Sequence, residues 1–204
     1  MVRTAYRQFH DESNTATVAV VLMAEFGLAP LDVEERCQEL PLHSTIRGGA
    51  RYQEDRGFFL RKVLRQLAEG GLHSQVFEDP ARTLSVQNHI RRWVPGFEFQ
   101  FARDLGATGE GWPDWNTVFR DDARLLLVEA RHSIHGLPVH LLLVRREGNV
   151  CYVMNSATGQ DHEYPMSLFY SHLASPVTAG ASSFAGRQYL FTGIGVRITR
   201  EQVR

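Results

Sequence analysis

The 204 residues predict an α+β fold with an N-terminal helical half (about residues 1–95) packed on a C-terminal antiparallel sheet (about 96–204). Three observations carry that expectation. The stretch from Thr15 to Phe26 (TATVAVVLMAEF) is apolar on nearly every side and stops at Gly27, as a buried central helix would. Phe58, Phe59, Val63, Leu64 and Leu67, and then Leu84, Val86, Ile90 and Trp93, recur at helical spacing. Beyond residue 124 the apolar residues come instead in short runs separated by turn residues, which is the pattern of strands.

Each element has its own signal. The opening segment, Tyr6 to Glu12, is polar and irregular, and Ser13 or Asn14 then suits a helix N-cap. The run from Thr15 to Phe26 is too long for an ordinary strand, so it reads as a helix despite its β-branched residues. Pro30 to Leu40 reads as a short helix with Asp32, Glu34 and Glu35 near its start. Ser44 to Arg56 contains Gly48-Gly49 and has no period, so it reads as a loop. The helix through Leu64 and Leu67 ends at Gly70-Gly71, His73 to Phe77 alternates like a short strand, and Pro80 to Trp93 is an amphipathic helix broken by Pro95-Gly96. Phe97, Phe99 and Phe101 alternate like an edge strand, and Trp115 to Asp122 reads as one short helix. Leu125 to Glu129, Val139 to Val144, Val150 to Met154 and Tyr189 to Ile198 read as strands, with a helix over Met166 to Leu173 and a loop over Ser175 to Gly186.

Composition bounds the function. A chain of this length makes one domain, and 43% apolar residues suffice for a core. The net charge is −1, Lys is nearly absent, and no basic stripe marks a nucleic-acid surface. No apolar run is long enough to insert in a membrane, and the first residues are not a secretory signal. Cys37 and Cys151 make no disulfide framework, so the expectation is a protein made in a reducing cytoplasm, with signal-independent export left open.

The chemistry concentrates in HLLLVRREGNVCYVMNSATG, residues 140–159. Two β-rich runs flank a Gly-containing turn, the signature of a hairpin. His140 opens the first run and Asn155 closes the second, so the hairpin sets an imidazole beside a carboxamide. An amide oxygen can accept the Nδ1–H of such a ring and turn Nε2 outward. That is a base with its orienting partner, two thirds of a Cys-His-Asn triad. Each residue also has a plainer reading. His140 could be a satisfied core histidine, Asn155 a turn residue, Gln8 a surface residue, and Ser13 or Asn14 a cap.

The order of these features resembles the papain-like cysteine peptidases, and among them the bacteriocin-leader (double-glycine) peptidase domains that precede exporters. Gln8, the apolar helix and Gly27, the stretch from Gly57 to Phe77, the strand Leu125 to Glu129, then His140, Gly148 and Asn155-Ser156-Ala157-Thr158-Gly159 follow that family's order across most of the chain. The resemblance implies a hydrolase or amide-transfer enzyme of the peptidase or glutamine-deamidase type, acting on a peptide or protein without a cofactor. It implies His140 as general base and acid, Asn155 as its orienting group and Gln8 as an oxyanion donor. The family's nucleophilic Cys stands six residues after the Gln. Here that position is Asn14, preceded by Ser13. Three readings fit: an engineered replacement of Cys, a naturally non-catalytic peptide-binding relative, or Ser13 as a nucleophile one residue out of register.

Other motifs point elsewhere or nowhere. Cys37 and Cys151 read as packing residues. His132, His135 and His140 lack an acidic or thiol partner at metal-ligand spacing. Neither Gly193-Ile194-Gly195 nor the stretch Gly106 to Gly111 sits between a strand and a helix, so neither reads as a phosphate loop. No Gly-x-Ser-x-Gly elbow occurs.

Overall fold

A computed structural model describes residues 5–7, 14–28, 64–65, 67–97, 111–131, 139–180 and 182–200. The expected helix at 30–40, the loop at 44–56 and nearly all of the Phe97-to-Phe101 stretch lie outside these residues. The described part is α+β, built on a seven-stranded antiparallel sheet with a few helices.

The strands are β1 (Leu72–Glu78), β2 (Arg124–Arg131), β3 (Val139–Glu147), β4 (Val150–Asn155), β5 (Gln160–Pro165), β6 (Ser182–Phe184) and β7 (Arg187–Arg200). Their order is β1-β7-β2-β3-β4-β5, with β6 also pairing with β7. Every pairing is antiparallel. The helices are α1 (Asn14–Glu25), α2 (Pro80–Ile90), the single turn α3 (Trp115–Val118) and α4 (Met166–Ala174), with a short 3-10 turn at Val177–Ala179. Residues 64–65 and 67–69 are also helical.

Both faces of the sheet are covered. Leu126, Val128, Leu141, Leu143, Ile194 and Val196 meet α1 and α2 on one side. The alternate residues Leu125, Leu127, Leu142, Val144, Val153 and Phe191 meet Phe169 of α4 and the Trp112 and Trp115 rings on the other. This is why β2 and β3 read as unbroken apolar runs: a strand buried on both faces needs no polar alternation. The two halves interleave in the sheet and its cover. β1 comes from the first half yet pairs with β7, and α4 from the second half covers the face opposite α1.

Helix α1 follows its sequence signal. Val18 to Leu22 are five consecutive buried residues, so the helix is enclosed on all sides. It closes at Gly27 (φ +70°), whose N–H bonds the carbonyl of Ala24. For α2, Asp79 caps the start by accepting from Arg82 N–H at 3.0 Å, and Pro80 occupies the first turn.

The β3–β4 hairpin turns on Gly148 and Asn149 alone, with Glu147 opposite Val150 and Gly148 at φ +58°. The first strand thus runs through Arg145-Arg146-Glu147, which the sequence placed in the turn. Two strands were missed. β5 is polar (QDHEYP) and forms because β4 offers it a full ladder from Val150–Pro165 to Asn155–Gln160. β6 lies inside the expected 175–186 loop and folds back on β7 around Ala185-Gly186.

Candidate functional site

The site is assembled where β4 parts from β3. Ladder pairing between the two runs as far as Leu143–Met154, after which the chain turns away through Ser156. Leu141, two residues further along β3, is met instead by the side chain of Asn14, the first residue of α1. Leu141 N–H donates to Asn14 Oδ1 at 2.8 Å, and Asn14 Nδ2–H donates to Leu141 O at 3.0 Å. A second Nδ2–H reaches Ser156 Oγ at 2.8 Å. Asn14 therefore ties the helix start to the sheet across 127 residues of sequence, rather than serving only as a local cap.

Asn155 is held with equal completeness. Its Oδ1 accepts from Ala157 N–H at 2.9 Å, and its Nδ2 donates to Ala185 O at 2.7 Å and to Tyr189 Oη at 3.2 Å. A backbone donor on one side and a backbone acceptor on the other fix which end of the carboxamide is oxygen. That oxygen lies 2.9 Å from His140 Nε2, so Nε2 carries the proton and donates. In the neutral ring Nδ1 then holds the lone pair. The sequence expectation had the two nitrogens the other way round. The ring itself is fixed by stacking on Tyr189, with centroids 5.3 Å apart and planes 10° from parallel.

Asn14 Nδ2 approaches His140 Nε2 at 3.3 Å. Both amide hydrogens of Asn14 already have oxygen acceptors and Nε2 is itself a donor, so this approach is a contact between neighbours and not a bond. The structure thus brings Asn14, His140 and Asn155 together, each 4% exposed or less. Gln8 and Ser13 lie outside the described residues, as do Cys37, His132 and His135. Cys151 is buried on β4, and burial pushes its thiol up to about 12. Among the described residues no group of His, Cys, Asp and Glu could hold a metal ion, and no helix is long and apolar enough to cross a membrane.

A second polar cluster escaped the sequence reading. His172 of α4 lies with Nδ1 2.7 Å from Ser182 Oγ and Nε2 3.1 Å from Glu129 Oε1. Glu129 and His140 are directly opposed in the β2–β3 register, and Ser182 is opposed to Tyr189. Both clusters therefore occupy one end of the sheet. The only sequence sign of the second was a charged residue closing an otherwise apolar strand.

No family model matches this chain, and no curated protein matches it.

Proposed function

We propose that Asn14, His140 and Asn155 form the site of a papain-like thiol hydrolase or amide-transfer fold, of the peptidase or deamidase type, with Asn14 at the nucleophile position. The observation that carries this reading is the placement of the first residue of a buried helix against an imidazole oriented by a carboxamide oxygen. Asn155 fixes the Nε2–H tautomer, so the proton-accepting nitrogen in this reading is Nδ1, and a thiol at position 14 would have to reach it past the Nε2 beside which Asn14 now lies. A helix start also favours a thiolate or oxyanion at that position. Asn14 supplies no nucleophile, because the lone pair of its amide nitrogen is delocalised. A peptide or protein amide is the ligand class of the reading, with Gln8 as the oxyanion donor and Ser13 as the alternative nucleophile that the resemblance implies.

The second reading, a non-catalytic peptide-binding domain of the same fold, is favoured by the three hydrogen bonds that hold the Asn14 side chain. One substitution separates the two. Asn14→Cys should give a thiol at position 14 that iodoacetamide alkylates at least tenfold faster than a free thiol at pH 6, with the gain lost on His140→Ala. Peptide mapping distinguishes it from Cys37 and Cys151. A thiol at position 14 that reacts like free cysteine, or ignores His140→Ala, would remove the hydrolase architecture and leave the binding domain.

A further inference from the structure

We propose that Ser182, His172 and Glu129 form a second reactive centre, in which the Ser182 hydroxyl accepts an acyl group from small carboxylic esters. Three separate elements converge to build it: β6 brings the Ser, α4 the His and β2 the Glu. The contacts form a continuous string, Ser182 Oγ to His172 Nδ1 at 2.7 Å and His172 Nε2 to the two Glu129 oxygens at 3.1 and 3.2 Å. This is a nucleophile hydrogen-bonded to a base that is oriented in turn by a carboxylate, the geometry by which such triads are recognised on unrelated folds. The ring nitrogens are used in the reverse of the common order, which leaves the proton inventory unchanged.

Burial grades along the string in the direction the chemistry needs. Glu129 is fully buried and His172 is 5% exposed, whereas Ser182 is only half-buried. The imidazole is clamped flat against Phe184, with ring centroids 3.8 Å apart and planes 4° from parallel. It therefore has one orientation available, with Nδ1 turned to the hydroxyl. Glu129 accepts the Nε2 proton, which leaves the Nδ1 lone pair facing Ser182.

The step balances with solvent water as the second reactant. Ser182 Oγ forms a bond to the acyl carbon while its proton passes to His172 Nδ1 and the carbonyl π pair moves onto oxygen. When the carbonyl reforms, the C–O bond to the leaving alcohol breaks and the alcohol takes the proton from Nδ1. Water then attacks the acyl-serine by the same route, releasing a carboxylic acid and restoring the hydroxyl. Glu129 touches none of the reacting atoms; it is a positioning residue that stabilises the imidazolium formed in each step.

This centre uses none of Asn14, His140 or Asn155, so it stands or falls apart from the papain-like reading. A Ser–His–Glu string that served only packing would leave Ser182 as inert as any other serine. The test is reaction of the unmodified chain with a small alkyl fluorophosphonate, in which Ser182 Oγ bonds to phosphorus and fluoride leaves with the proton. One adduct is expected, mapped to Ser182 by peptide mass spectrometry and absent in Ser182→Ala. His172→Gln should slow labelling by roughly 100-fold or more, the scale of a lost general base. Glu129→Gln should slow it and shift its pH profile, an effect that a packing role does not produce. Circular dichroism confirms folding of each variant. No adduct at Ser182 in the unmodified chain, or labelling unaffected by His172→Gln in a folded variant, overturns the proposal.

Discussion

The Cys151 thiol sits on the buried face of β4 with Sγ 3.0 Å from Met166 Sδ, and loss of hydration raises its pKa to about 12. A thiolate is the reactive species, so at pH 8 this residue is almost wholly in its unreactive form. In the native chain Cys151 should resist iodoacetamide at pH 8 for hours and react within minutes in 8 M urea, as read by peptide mapping; fast native labelling would contradict the burial. The packing role that the sequence suggested for it rested on its mid-strand position, a local signal. His140 and Asn155 were legible for the same reason, since 15 residues and one turn join them. Ser182, His172 and Glu129 were not. Each belongs to a different element, and Ser182 stands among small polar residues that carry no period at all.

At the scale of elements, the Gly193-Ile194-Gly195 motif has a structural use that its sequence did not disclose. The β2–β7 register jumps between Val128–Ile194 and Glu129–Phe191, so β7 bulges at Thr192-Gly193. Thr192 Oγ1 donates to Val128 O at 2.5 Å and accepts from Ile194 N–H at 3.2 Å, repairing the interrupted ladder. Gly193 takes φ +89°, and its carbonyl accepts from both Asp79 N–H and Trp112 Nε1–H at 2.9 Å. The start of α2 and the indole are thus fastened to one peptide group. Gly195 leaves the space in which the indole lies, since a Cβ there would meet Trp112 Cη2 and come within 2.8 Å of Cζ2. Gly195→Ala should therefore destabilise the fold by about 1–3 kcal/mol, the usual cost of overpacking. Urea denaturation followed by Trp fluorescence measures it. Gly111→Ala, where a Cβ meets nothing within 4 Å, is the control and should be near neutral. The sequence excluded a phosphate loop here but could not show the seat, because Trp112 is far from Gly195 along the chain.

Across the whole molecule, the end of α1 is locked to the sheet by charge. Glu25 lies between Arg124 and Arg145, with Oε2 2.8 Å from Arg124 Nε and Oε1 2.6 Å from Arg145 Nε; all three side chains are 2% exposed or less. Arg145 also reaches Asp161 of β5 at 2.5 Å, so one cluster joins α1, β2, β3 and β5. Burial pushes the Glu25 carboxyl above its ordinary 4.5, against the pull of both guanidiniums. A raised carboxyl pKa means the folded state holds the proton more tightly than the unfolded one, so this group's contribution falls as pH rises above 4.5. Arg145→Met removes a compensating charge and deepens that effect. The variant should lose about 3–5 kcal/mol at pH 7 and less at pH 5, the direction set by a carboxyl pKa raised by burial. Urea denaturation at the two pH values checks it, and an equal loss at both would assign the effect to packing alone. The α+β class and the β3–β4 hairpin were legible because apolar runs report burial directly. Polar β5 and the coverage of both faces were not, since each depends on which strand lies alongside. At the opposite end of the same helix, the Asn14 carboxamide meets Leu141 with one donor and one acceptor, as the peptide group of an added strand would. An extended chain arriving at that margin of β3 finds the docking position already filled by a surrogate from within, and can pair with Leu141 only by first prising the head of α1 away.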